Sequence, residues 1–291
     1  MAVGSIISAA RYNAIQASVD LVLGIGSGTY GYGQTLNSSL VPIGEEVTAT
    51  DMEELKQDII NAGVHQTGAV PSLTSVVTSD DITDAVYVEY ETEGGVVFAN
   101  VNDVFEATQT TAESKLSSTR TTSWGGAIQP QTIQHEFTVT FTNGDARRHF
   151  FNSGGEVRFS ASLTGTTGSK SAGWAGMLSS IGVVKFSYDD TTASSGSTFS
   201  LGNYDLTSIN QDILLKTGSG IYSDSFYKIE ARELSSSIIV FTVSFYDGES
   251  SYVDESVNGT LTSSIAQLRA TGAFVEVPSP NYANTVLLTD V

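Results

Sequence analysis

Residues 133–163 read IQHEFTVTFTNGDARRHFFNSGGEVRFSASL, and they decide the architecture. Phe137, Val139 and Phe141 alternate with Thr138, Thr140 and Thr142, a period of two that turns one face of a strand towards a core. Asn143-Gly144 accepts the positive φ angles of a tight reverse turn, and Asn152-Ser153-Gly154-Gly155 marks a second one. Val157, Phe159, Ala161 and Leu163 then alternate again. The pattern predicts a β-meander, with the basic run Arg147-Arg148-His149 between its turns.

Downstream the period changes. Trp174, Met177, Leu178 and Ile181 stand at i, i+3, i+4 and i+7, which predicts a short amphipathic helix over about 169–182 lying against the sheet. Strand character resumes at 183–188, and 189–197 reads as a turn. Further strands are expected near 199–206, 213–217, 226–234, 237–247, 257–268 and 272–277, with 226–234 and 237–247 joined as a hairpin. Pro278 and Pro280 are expected to close the fold. Many short strands with regular turns predict a mainly β chain built on an antiparallel, sandwich-like domain with one short packed helix.

Upstream, residues 1–67 read as a small helical hairpin. Ser8 can cap a helix whose apolar positions Tyr12, Ile15, Val19, Val22 and Leu23 follow helical spacing, and Gly24 ends it. A second helix starts near Thr50, with Asp51, Glu53 and Glu54 placed to suit the helix dipole. Met52, Leu55 and Ile59 form its apolar stripe, and Asn61-Ala62-Gly63 is expected to close it. SAARYNAIQASV (8–19) and TATDMEELKQDI (48–59) share hydroxyl–Ala starts and apolar spacing, as two helices packed on one another would. Residues 67–83 read as a linker. Residues 85–90 fit either a strand or the start of a helix. The β-rich region is taken as 68–291, divisible near 125–130 or 190–200; Trp124-Gly125-Gly126 marks a turn at an aromatic anchor.

Composition narrows the function classes. The 291 residues carry 13 basic and 32 acidic side chains, a net charge of −19. Such a chain has no basic footprint for nucleic acid and no attraction to anionic membranes. No run of about 18 apolar residues occurs, so no membrane span is expected. There is no cysteine, hence neither disulfide nor thiolate metal site. Ser and Thr make up about a quarter of the chain, which suits strands and turns. The start, MAVGSIISAARYNAI, lacks the basic segment and long apolar run of a secretory signal, so the sequons at Asn37 and Asn258 carry little weight.

Motif by motif, the bland reading wins. Gly26-Ser27-Gly28-Thr29-Tyr30-Gly31 matches G-x-G-x-x-G, but a dinucleotide site needs a strand before it and a helix after it. Here a helix precedes and no helix can follow, so a loop is expected and no cofactor. His65, His135 and His149 have no partner at ligand spacing. Glu45-Glu46, Asp80-Asp81 and Asp189-Asp190 read as solvated turns; calcium binding needs geometry that spacing does not supply. Trp124, Trp174 and Tyr30–Tyr32 could stack on sugars, though core packing accounts for Trp174. Arg147, Arg148 and His149 form the densest basic spot, and the choice lies between a contact with an acidic neighbour and a solvated hairpin edge, the latter preferred.

Two strings resemble the virion structural proteins of tailed bacteriophages, especially those of marine bacteria and cyanobacteria. One is Ile7-Ser-Ala-Ala-Arg-Tyr-Asn-Ala-Ile with Gly26-Ser-Gly, Gly31-Tyr-Gly-Gln-Thr and Val64-His65-Gln66-Thr67-Gly68. The other is Arg148-His-Phe-Phe-Asn-Ser-Gly-Gly-Glu-Val-Arg-Phe-Ser-Ala-Ser with the Trp174 helix. The resemblance implies a non-enzymatic tail, neck or baseplate component, assembled in the host cytoplasm as a homo-oligomer such as a trimer or hexamer, and in contact with other virion proteins. It carries no catalytic residue. Candidate subunit contacts are Arg147, Arg148, His149, Tyr12, Ile15, Leu55 and Ile59. The competing class is a receptor-binding protein that binds or depolymerises a glycan.

Overall fold

The computed structural model describes residues 8–78, 82–99, 111–126, 131–248 and 256–291. The chain divides into two compact units. One comprises Met1–Thr110, Arg148–Gly154 and Arg269–Pro278; the other comprises Thr111–Arg147, Gly155–Leu268 and Ser279–Val291.

The first unit is built on three helices, α1 (Ala9–Leu23), α2 (Ala49–Thr67) and α3 (Asp84–Ala99). Tyr12, Ile15, Val19, Val22 and Leu23 are all buried on α1, as their spacing requires, and Gly24 ends the helix. Ser8 makes no side-chain cap, contrary to expectation. The real cap belongs to α2. Thr48 accepts the Asp51 N–H, and its own N–H donates to the Asp51 carboxylate at 2.7 Å, a reciprocal box. α2 does not stop at Gly63 but runs on to Thr67, where Gly68 adopts the left-handed conformation (φ 71°). Gly63 serves packing instead, because a Cβ there would meet the Pro71 ring at 2.5 Å.

Residues 85–90 prove helical. α3 buries Val86, Tyr87, Tyr90 and Val97, and its bare Gly94 lets Ile15 of α1 approach within what would be 3.1 Å of a Cβ. The helical core therefore has three members rather than a hairpin of two, and it extends past residue 67. Residues 272–277 join this unit as an irregular segment with a single bridge, Thr271 to Glu276, not as a strand. There the Gln34 side chain takes the place of a neighbouring strand, donating to the Glu276 carbonyl (3.0 Å) and accepting its N–H (3.2 Å).

The second unit is mainly β and sandwich-like, as expected. Its strands are β1 (Glu113–Arg120), β2 (Gln131–Thr140), β3 (Glu156–Thr164), β4 (Val184–Phe186), β5 (Thr191–Thr192), β6 (Ser197–Thr198), β7 (Gln211–Thr217), β8 (Phe226–Ser235), β9 (Ile238–Asp247), β10 (Thr260–Leu268) and β11 (Asn281–Asp290). Two antiparallel sheets result, ordered β1-β10-β3-β4-β5 and β11-β2-β9-β8-β7-β6. Phe159 of the first sheet meets Phe241 of the second at 4.9 Å between ring centres, and Phe186 meets Phe241 at 5.2 Å. These rings mark the core between the layers.

The opening stretch does not form a meander. β2 pairs with β9 and β11, while β3 pairs with β10 and β4 in the other sheet. Between them runs α4 (Gly144–Asn152). Asn143 does not turn the chain back; its Oδ1 accepts the Ala146 N–H at 2.7 Å, an N-cap bond that starts the helix. The 226–247 hairpin forms as β8 and β9. The predicted strand at 199–206 is replaced by a 3₁₀ turn at Asn203–Asp205, held by the Asp205 carboxylate on the Gly202 N–H. Pro278 and Pro280 do not close the fold, because β11 follows them. The Trp174 helix is α5 (Ser169–Ile181), and the sandwich continues unbroken through 190–200. Residues 127–130, near the other suggested division, lie outside the described residues.

Candidate functional site

The basic run sits on one helix, where successive side chains diverge by about 100°. Arg147 belongs to the sandwich unit. It is 5% exposed, and its guanidinium donates to Asn203 Oδ1 (2.6 Å), the Asn203 carbonyl (3.0 Å) and Glu233 (2.6 Å). The cation is not a solvated edge, and the acid it contacts, Glu233, belongs to its own chain. It anchors the 3₁₀ turn to β8.

Arg148 and His149 belong to the helical unit, and both reach the Ile25 carbonyl, at 2.9 and 2.8 Å. One turn on, Asn152 Nδ2 donates to the carbonyls of Thr29 (2.9 Å) and Gly31 (3.1 Å). Gly33 (φ 75°) lies so close to the His149 ring that no Cβ fits. The glycine-rich loop is thus a loop, as expected, and its chemistry is the reverse of a phosphate cradle. A cradle aims N–H groups outward at an anion, whereas this loop presents carbonyls inward to three side-chain donors. The glycine-rich loop and the run Arg148–Asn152, more than 100 residues apart in sequence, thus meet through these bonds.

Tyr12, Leu55 and Ile59 are 0% exposed and Ile15 is 5% exposed. These four proposed subunit contacts are core residues of the helical unit. Tyr12 also donates its hydroxyl to the Asp51 carbonyl at 3.2 Å, and burial raises its pKa. Asn37, a sequon residue, and Ser38 give four donors to the buried Asp58 carboxylate, between 2.7 and 2.9 Å.

The histidines lie apart. His65 is buried edge-on to Tyr32, and burial pushes its pKa down to about 4. His135 is buried in β2 with Nε2 2.9 Å from Asn284 Oδ1 on β11, and burial lowers its pKa too. Among the described residues no group of three or more His, Asp or Glu is placed to hold a metal ion. Asp80-Asp81 lies outside the described residues.

The arrangement that pattern reading missed is in the sandwich. Lys170 on α5 and Asp247 at the end of β9 form an ion pair at 2.7 Å with side chains 0% and 1% exposed. Asp247 also accepts the Ser225 hydroxyl (3.1 Å), and Gly125 packs so tightly on it that a Cβ would overlap the carboxylate. The signal was available: Lys170 precedes Trp174 by four residues on the buried stripe of α5. Trp174 meets Trp124 edge-on at 4.7 Å. Both indoles are buried, so neither offers a free face for a sugar.

Beside this cluster lies a groove of about 490 Å³ between α5 and the β7–β8 connection, lined among others by Trp174, Gly176, Lys216, Thr217, Tyr222 and Ser225. Bare Gly173 lets the Tyr222 ring close one wall, at what would be 3.3 Å from a Cβ. Ser225 links the groove to the buried pair. Asp247 accepts from both Lys170 and Ser225, so the three side chains form one buried hydrogen-bonded chain under the groove. No protein-family model, curated protein or solved structure matches this chain.

Proposed function

We propose that this protein is a non-enzymatic structural subunit of a tailed-phage virion that assembles as a closed homo-oligomer. The two sequence strings that meet at the glycine loop support the virion reading. The observation that carries the assembly reading is a set of exposed apolar side chains on the loops of the helical unit. Ile43 is 94% exposed, Val77 78%, Val70 69%, Ile25 66% and Leu40 62%. Scattered exposed apolar residues are ordinary, but five so exposed on the connections of one small unit suit a surface that is covered on assembly. These replace the buried candidates Tyr12, Ile15, Leu55 and Ile59 as the contact residues. A net charge of −19 keeps such a subunit soluble before it assembles.

Sedimentation velocity of the purified chain at micromolar concentration, with immunolabelling of purified particles, tests this. A closed oligomer that Ile43→Asp with Val77→Asp converts to monomer, and label on particles, is the expected result. A monomeric wild type absent from particles would overturn it.

A further inference from the structure

The lysines of this chain differ in their partners. Lys56, Lys115, Lys170 and Lys228 each sit within 4.0 Å of a carboxylate. Lys216 lines the groove, and its ammonium donates to the Ser195 hydroxyl at 2.7 Å; among the described residues neither it nor Lys185 has a carboxylate partner. In a chain with 32 acidic against 13 basic residues, the described residues of this cavity wall carry a cation and no acid, which favours an anionic ligand there. The volume of about 490 Å³ lies within the range of small-molecule sites.

The remaining lining specifies more than an anion. Thr217 and the Tyr222 hydroxyl offer donors and acceptors, while Gly176 of α5 offers apolar surface open to close approach. A ligand with a carboxylate, several hydroxyls and a pyranose-sized body answers each of these features.

We propose that this groove binds a sugar acid of the hexuronate class, with its carboxylate on Lys216 and its ring on the open α5 face at Gly176. The groove belongs to the sandwich unit, and the residues proposed for assembly belong to the helical unit. A hexuronate could arrive as a free monosaccharide or as the terminal residue of an acidic polysaccharide.

The chain contains two tryptophans, so the ¹⁵N–¹H indole spectrum of the full-length protein holds two side-chain signals, assigned with Trp124→Phe. Titration with glucuronate is expected to shift the Trp174 signal saturably at millimolar concentration, whereas glucose and sulfate do not. Lys216→Met should weaken binding by about tenfold or more, the loss of one charge-assisted contact, and Lys216→Arg should restore it. Circular dichroism of both variants reports folding separately. A galacturonate trimer that binds more tightly than monomeric galacturonate identifies a polysaccharide end; equal affinity identifies the free acid. No saturable Trp174 shift up to about 20 mM glucuronate, an equal response to glucose or sulfate, or full binding by folded Lys216→Met would each overturn the proposal.

Discussion

In the sandwich, Lys170 and Asp247 meet at 2.7 Å with essentially no solvent exposure. In the helical unit, Arg11 meets Asp84 and Glu91 at 2.5 Å, with side chains 30%, 68% and 40% exposed. The two clusters have the same chemistry and similar distances, yet different consequences. Breaking the buried pair strands a charge that water cannot reach. Breaking the exposed one returns each charge to water, and salt already screens it. Geometry alone does not rank them; burial does.

The contrast is sharpest at Asp247. Asp247→Ala should cost about 3–5 kcal/mol in denaturant unfolding, the penalty for an uncompensated buried cation. Lys170→Met combined with Asp247→Leu should recover most of that loss. If the double variant is as unstable as the single one, the pair matters for shape rather than charge, and the comparison fails on its buried side.

His65 is the helical unit's own buried ionisable group, and it tests whether burial has the same force there. The folded value of about 4 lies below the ordinary 6.5, so the fold favours the neutral ring. Its contribution is complete above pH 6.5 and is lost as pH falls towards 4, to a total of about 3 kcal/mol. Stability measured from pH 7 to pH 5, where carboxylates contribute least, should fall in the wild type and stay flatter in His65→Phe. A parallel slope in both proteins would remove His65 from the account.

Smaller effects follow. Thr48→Ala removes one half of the α2 capping box and should cost about 1 kcal/mol by thermal or denaturant melting. Arg11→Ala should leave the unfolding midpoint unchanged within error at 0.15 M salt and lower it only slightly at low ionic strength. A large loss there would show that the exposed cluster acts as the buried one does.

Period-two and helical spacing exposed most of the architecture. The strands at 131–140, 156–164, 226–235, 238–247 and 260–268 and the helix of Trp174 follow from alternation or from i, i+3, i+4 steps. What failed was long-range or hinged on one residue. Asn143 suits a reverse turn and an N-cap equally, and only the helix after it chooses. Which strand pairs with which is a tertiary matter, so β2 and β3 read as neighbours although they lie in different sheets. β11 was hidden because its outward positions alternate with Tyr282, Asn284 and Val286, a weak apolar signal behind two prolines. The site was less legible than the fold. Arg147 looked like surface because charge usually is, and nothing local announces that Asn203 and Glu233, 56 and 86 residues away, will enclose it.

The pairing of β11 with β2 governs how this chain is made. Residues 281–290 complete a sheet whose partner strand, 131–140, leaves the ribosome about 150 residues earlier. β1 likewise waits for β10. Between the emergence of β9 and that of β11 the nascent sandwich therefore shows an unfilled edge of alternating apolar residues, a template on which another copy can pair. Such distant pairings also place it among slowly folding topologies. The yield of folded protein, unlike the stability of the finished molecule, will depend on translation speed and temperature. A chain cut before residue 281 should collect in aggregates even though every buried ion pair described above is still encoded.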